Sequence, residues 1–424
     1  MAISKSFTNR SVFKRENEMN RKKFLKYAAC AAAATAWKWD GIAATAGEEI
    51  IKHDAPPRNR RPYTGVDWAN AFQIRTTTHG HADNQQMLDA YLKRGFEFLT
   101  ISNYYPSAPR YPLKDVHEFD FRMRHDFPVT VKGTRTNGPF DWNAIVSQWK
   151  DELPEEQKKQ LPFKRGRKLF KPLPPGILEA PNAEHHYFYD DARKKVLRGL
   201  HICSPGSAFQ SGTFDKRNRF MTHSKGWCFG SGEPWRIAVD RMIAGLVDPL
   251  GGGVTINHPT WSKMDYNFPA EMLDHDSRVL GMEVINGKYF SEDYWDYTLK
   301  SGRQCYGFFV PDWSLWYGCN VLLVKERTVE ACLRAYRQGN FYGALHGGGV
   351  KFTNISFDGR TIEATTDKPV KFELISAKGK VLEKTDTGLS FKVPASVKSH
   401  VYFRIKALAT DNSGEILYSQ PFMI

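Results

Sequence analysis

The sequence is short of several features that would have assigned it quickly. It has six cysteines in 424 residues and no Cys-x-x-Cys pair, so there is no zinc-knuckle signature. It has no nucleotide-binding glycine loop, no recognisable Ser-His-Asp signature and no known nucleic-acid reader motif, and nucleic-acid partners are therefore not expected. No internal repeat occurs, which argues against a solenoid or propeller. The Ala-rich apolar stretch of residues 27–37 is too short for a membrane span, so stable membrane insertion is not expected.

What is present points to an exported, folded chain. Hydrophobic residues make up 41% and aromatics 13%, enough to bury a core and too much for disorder. Residues 1–46 read as an export signal. The basic run Asn20-Arg21-Lys22-Lys23-Phe24-Leu25-Lys26 precedes the apolar stretch, and Ala34-Thr35-Ala36 and Ala44-Thr45-Ala46 fit the small-x-small cleavage pattern. The run is similar to a twin-arginine signal with Lys22 in place of the second arginine, which leaves the ordinary secretory route open. A periplasmic or extracellular location in a bacterium is expected. Cys30 has too little apolar sequence before it for a lipid anchor. The other five cysteines, Cys203, Cys228, Cys305, Cys319 and Cys332, read mostly as small buried apolar residues. The net charge is +14, falling to +8 without residues 1–46, a balance that suits an anionic partner.

Residues 47–65 have linker composition, and residues 66–349 form the main expected domain. Six prolines and Lys164-Arg165-Gly166-Arg167-Lys168 mark an insertion at about 137–180, read as a solvated face. Apolar runs at 96–102, 129–132, 254–257, 281–285 and 306–310 read as buried strands. Residues 85–93 and 235–246 carry helical spacing. Strands alternating with helices predict an α/β core with a parallel sheet or barrel. Residues 350–424 change to short strand-like runs separated by Asp358-Gly359 and Asn412-Ser413-Gly414, which predicts a small β-sandwich.

The chemistry concentrates where strands end. In Thr78-His79-Gly80-His81-Ala82-Asp83 two histidines lie two residues apart. Strand alternation points both imidazoles one way, towards a shared metal ion. Gly80 lets the backbone approach closely. His258 closes an apolar run and is followed by proline, and Asp312 follows the 306–310 run. Both fit the rim of a barrel. Glu184 and His201 complete a set of His and carboxylate donors of the kind zinc, manganese or iron accepts. Trp261, Trp295, Trp313 and Trp316 lie near these motifs, where a tryptophan stacks on substrate or packs in the core.

Together these residues resemble the polymerase-and-histidinol-phosphatase (PHP) family over residues 74–346. The H-x-H of His79 and His81 opens the pattern, and 91–102 is similar to the family's helix, Gly turn and second strand. Glu184, His201, His258 and Asp312 follow in order. The resemblance implies a distorted seven-stranded β/α barrel, two or three metal ions, and hydrolysis of phosphate esters by metal-activated water. The sequence departs from the pattern twice. Ser102-Asn103-Tyr104-Tyr105 stands where the family has Asp-His, and Asp312-Trp313-Ser314 stands where it has Asp-x-His. Two histidine ligands are thus missing, which implies a smaller centre of one or two divalent ions. His185 or His186 are the candidate replacement ligands. His186 and Tyr104 are candidate catalytic groups, and Asn103, His185, Trp261 and Trp313 are candidate substrate contacts. Three functions stay open: a phosphoesterase, a glycan-active enzyme on the same scaffold, and a metal-poor binding protein. The expected partner is a small-molecule or glycan substrate, and the oligomeric state is left open.

Overall fold

A computed structural model describes residues 56–82, 84–102, 171–191, 196–207, 235–313, 317–394 and 400–424. The expected export signal of residues 1–46, the expected strand Val129–Lys132, the basic cluster at 164–168, and Asn103 and Tyr104 lie outside them, as do Cys228 and Trp316. Residues 53–188 with 199–424 form one compact unit, and residues 1–52 with 189–198 another. Of the second, only 189–191 and 196–198 are described, as strand backbone.

In chain order the elements are β1 (Phe72–Thr77), α1 (Gln85–Lys93), β2 (Phe98–Leu99), β3 (Leu178–Glu179), β4 (Glu184–Asp191), β5 (Val196–Cys203), α2 (Trp235–Ala244), β6 (Val254–Ile256), α3 (Pro259–Ser262), α4 (Phe268–His275), β7 (Val279–Asn286), β8 (Tyr289–Phe290), α5 (Glu292–Leu299), β9 (Tyr306–Val310), β10 (Cys319–Val324), α6 (Val329–Gln338) and β11 (Phe341–Ala344). Seven strands follow: β12 (Phe352–Phe357), β13 (Thr361–Ser376), β14 (Lys380–Lys384), β15 (Gly388–Pro394), β16 (Tyr402–Ala409), β17 (Ile416–Tyr418) and β18 (Phe422–Met423). This is a mixed α/β architecture with many strands and few helices among the described residues.

The expected strands and helices that fall on described residues are present, and the local sequence explains them. α1 starts where the Asn84 side chain accepts the Met87 N–H at 3.0 Å, and it buries Leu88 and Tyr91. α6 starts on Thr328 and ends on Gly339, whose φ of 73° is the left-handed cap glycine takes at least cost. β7 and β9 are buried along their whole length, which is why they read as continuous apolar runs.

Parallel pairing joins β1 to β2 and β2 to β3, and also β6 to β7 and β7 to β9. The expectation of a parallel sheet needs correction elsewhere: β1–β10, β10–β11 and β5–β6 are antiparallel. Two mixed sheets result, of twelve and six strands. Among the described residues they are joined near the site by an isolated bridge between Gly80 and Asp312, not by a closed ladder. The strands after residue 350 belong to the larger sheet, since β17 pairs with β11. One apolar core runs under both parts, containing Leu99, Tyr342, Phe352, Phe372 and Ile405.

Two stretches with loop-like composition are packed. Leu178–Glu179, at the end of the expected insertion, forms β3 of the core sheet. In the linker-like stretch, Arg58 donates to the carbonyls of Gln304, Asp276, Val279 and Leu273 at 2.9–3.0 Å, and Tyr63 is buried with its hydroxyl on Phe341 O. A guanidinium satisfied by four carbonyls does not show in composition. Cys203, Cys305, Cys319 and Cys332 are buried free thiols. No helix among the described residues is long and apolar enough to cross a membrane.

Candidate metal centre

The site forms where β1, β2, β4, β5, β6, β7 and β9 end. His79 and His81 follow β1, and the backbone around them pairs with Asp312. His81 N donates to Asp312 O at 3.5 Å, and Asp312 N donates to His79 O at 3.2 Å. Gly80 has to lack a side chain because a Cβ there would run into the Tyr91 ring, whose hydroxyl donates to Asp312 O at 3.2 Å. Asn182 ties three strand ends. Its amide donates to Thr78 O and Thr100 O at 2.8 and 2.9 Å, and its oxygen accepts Ser204 N–H at 2.9 Å. Two residues on, Glu184 N donates to Ser102 O at 2.9 Å.

These supports bring four donor atoms together. His79 Nε2 lies 3.2 Å from His81 Nε2, and both lie 3.3 Å from Glu184 Oε2 and from Asp312 Oδ1. Two nitrogens and two oxygens at such spacing are what a zinc ion about 2.0 Å from its nitrogen and oxygen ligands could draw together. The two imidazoles are fully buried and the two carboxylate side chains are 2% and 18% exposed, so water does not satisfy this convergence. A divalent ion fits the donor set.

The second oxygen of Glu184 serves a second group. Oε1 lies 2.8 Å from His201 Nδ1 and 3.2 Å from His258 Nε2, with Asn257 Nδ2 at 3.5 Å. One carboxylate therefore faces two histidine pairs. Two residues of the cluster hold unfavourable backbone conformations. His258 has a φ of 28° and Asp312 a φ of 51°, in the left-handed region that non-glycine residues occupy at a cost.

A residue not among the expected ligands holds the cluster together. Glu283, wholly buried in β7, accepts from His79 Nδ1 at 2.8 Å through one oxygen. Through the other it accepts the His258 backbone N–H at 2.7 Å and Asn286 Nδ2 at 2.8 Å. With Nδ1 carrying the proton, the Nε2 lone pair of His79 faces the centre. The sequence signal is a glutamate inside the apolar run Val279–Asn286, where an ionisable residue demands a partner.

The electrostatics suit a cation. Burial opposes charge on His79, yet Asp312, Glu184 and Glu283 hold its pKa well above the ordinary range. His81 shifts the same way, against its burial, through Asp312 and Glu184. Burial also opposes the charge on Asp312, but the two histidines push its pKa strongly down. Beside them burial drives the Cys203 thiol strongly up, so it stays protonated, with Asn257 Nδ2 donating to its sulfur at 3.2 Å.

Of the expected site residues, His79, His81, Glu184, His201, His258 and Asp312 meet in one cluster. Trp313 and Trp261 lie on its rim. The Trp313 ring stacks on His81 at 4.2 Å and 11°, and Trp261 sits edge-on to His258 at 4.8 Å. Trp313 is 37% and Trp261 50% exposed. Trp295, by contrast, is a core residue with its indole N–H on Cys305 O. His185 is one residue from Glu184, so strand alternation turns it to the other face of β4, where its Nε2 lies 3.0 Å from Ser204 Oγ. For His186 only the strand backbone is described.

No protein-family model and no curated protein matches the chain. Among solved structures it is similar to a two-domain protein from Bacteroides vulgatus containing a predicted PHP-like metal-dependent phosphoesterase. That likeness has 14% identity, covers 87% of this chain and 99% of that one, and has a TM-score of 0.39.

Proposed function

We propose that the chain is an exported metal-dependent hydrolase of phosphate esters, with the Glu184 cluster as its active centre. The reading takes the strands around the cluster as a distorted seven-stranded barrel of PHP type, with residues 350–424 as an appended β-sandwich. One observation carries it: Glu184 presents one oxygen to His79 and His81, which also face Asp312, and the other to His201 and His258. A carboxylate shared in this way suits two neighbouring cations. His79, His81, Glu184 and Asp312 would hold the first ion, and Glu184, His201 and His258 a second and weaker one.

When bound, zinc, manganese or iron supplies Lewis acidity and an activated water. The protein's part is positioning. Glu283 fixes the His79 tautomer and the His258 backbone, and Gly80 lets His79 and His81 flank Asp312. A group leaving with negative charge would depart towards the histidine pair on the Glu184 Oε1 side, where His201 is 14% exposed. The half-exposed Trp261 and Trp313 faces favour a second reading, a glycan or other ring-bearing substrate, because exposed indole faces beside a polar centre stack on rings.

The test is metal content by elemental mass spectrometry on the mature chain purified without added metal. At least one equivalent of a transition metal is expected in the parent and none in a His79→Ala/His81→Ala variant. A parent that neither carries nor takes up metal would sink the reading. Hydrolysis of unphosphorylated oligosaccharides, with none of phosphate esters, would favour the glycan alternative.

A further inference from the structure

Away from the metal centre, on the opposite side of β1 from Ile74, lies a cavity of about 230 Å³. Its lining includes Gln73, Arg75, Glu97, Tyr342, Gly347 and Lys351. Its neutral polar groups are already paired. Gln73 Nε2 donates to Phe352 O at 2.9 Å, and its Oε1 accepts the Tyr342 hydroxyl at 2.8 Å. Its lining carboxylate is also taken, since Glu97 forms an ion pair with Arg327 at 2.7 Å.

Among the described residues the cavity's cations form no ion pair. Arg75 donates through Nη1 to Arg94 O, but has no ion-pair partner, and its buried Nε has no acceptor. Its guanidinium sits between two glycines. A Cβ on Gly95 would come within 3.2 Å of Nη1, and one on Gly347 within 3.1 Å of Nε. Arg94, beside it, also lacks a carboxylate partner and has a buried Nη1 without an acceptor. Lys351, an exposed lining residue, pairs through its backbone with Asp367: its N–H donates to Asp367 Oδ1 at 2.8 Å and its carbonyl accepts the Asp367 N–H at 3.0 Å. Glu415 is close enough to favour the charge on Arg94. Both its oxygens, however, accept backbone N–H groups, from His346 and Gly348 at 2.9 and 2.8 Å.

We propose that this cavity is a binding site for a small oxyanion, held by Arg75 on its wall and Lys351 at its mouth. A partly buried guanidinium without a carboxylate beside a cavity is stabilised when an anion fills the space. Two positive groups from separate elements suit the spread oxygens of a phosphate.

The test is isothermal titration of the metal-loaded chain with inorganic phosphate. The parent is expected to bind phosphate at this site. Lys351→Glu, an exposed change, is expected to weaken that binding by about tenfold or more, as loss of one charged contact implies. Arg75→Gln is expected to abolish it. Asp312→Asn, altered at the metal centre, keeps the cavity's share of the binding. Equal phosphate affinity in the parent and Lys351→Glu would overturn the proposal. So would binding lost only in Asp312→Asn, or no binding at millimolar phosphate. If Arg75→Gln does not fold, Lys351→Glu still decides.

Discussion

Two buried charge clusters in this protein are built on opposite plans. Around Arg404 every acid faces a base. Arg404 Nε and Nη2 donate to the two oxygens of Asp296 at 2.9 and 2.8 Å, and Nη2 also reaches Glu292 at 2.9 Å. Lys406 donates to Glu292 and the Tyr402 hydroxyl to Asp296, at 2.8 and 2.7 Å. Two cations meet two anions, and the Trp295 ring covers the guanidinium at 4.9 Å. In the Glu184 cluster three carboxylates converge with four imidazoles and no Lys or Arg is in the set, and His79 Nε2 and His81 Nε2 lie 3.2–3.3 Å from each other and from two carboxylate oxygens. A network balanced in charge fastens α5 to β16, with Arg404 Nη1 alone left without an acceptor among its groups. An unbalanced one is open to a cation. Desolvation costs several kcal/mol per buried ion in either case, so the cluster without Lys or Arg is the one that suits a cation, and the paired one is explained by structure alone.

Four changes would break or sharpen that contrast. The largest effect is expected from Arg404→Ala, which leaves Asp296 buried and unpaired. Urea denaturation should show a loss of about 3–5 kcal/mol, with metal content unchanged. Asp312→Asn should do the reverse. Elemental analysis should find the metal lost, while the chelator-treated variant loses less stability than Arg404→Ala does, the loss being that of the carboxylate charge the two histidines favour. Glu283→Gln should retain the ligands but weaken metal affinity about 10–100-fold, read by competition with a chromogenic chelator; unchanged affinity would remove Glu283 from the positioning role. The smallest effect concerns pH. Burial opposes the charge on Glu292, but Arg404 and Lys406 hold its folded pKa below the ordinary value. Its share of stability is therefore present above the unfolded pKa and is lost as pH falls through the folded one. Glu292→Gln should flatten that acid limb in denaturation curves taken across mildly acidic pH. An identical limb would show that the pair contributes nothing there.

Sequence reading reached the residues that meet in the cluster because they carry local marks. His79 and His81 share a spacing, His258 and Asp312 end apolar runs, and Glu184 follows in order. Glu283, Asn257 and Asn182 carry no such mark. Each is one polar residue in or beside an apolar strand, and its role depends on which residue of another strand it meets. The same limit applies to Arg58, whose four carbonyl partners are more than two hundred residues away. His185 was misplaced for a related reason: adjacency in sequence to Glu184 is opposition across a strand.

By itself the sequence determined the element types that rest on periodicity, such as α1, α2, β7 and β9. It also determined the kinds of donor available for a metal, since side-chain chemistry is local. Tertiary structure alone decided which strands run antiparallel, how the strands after residue 350 join the larger sheet, and which oxygen of Glu184 serves which histidine pair. Those outcomes are set by register between distant segments, and a register shift of one residue turns every side chain to the other face.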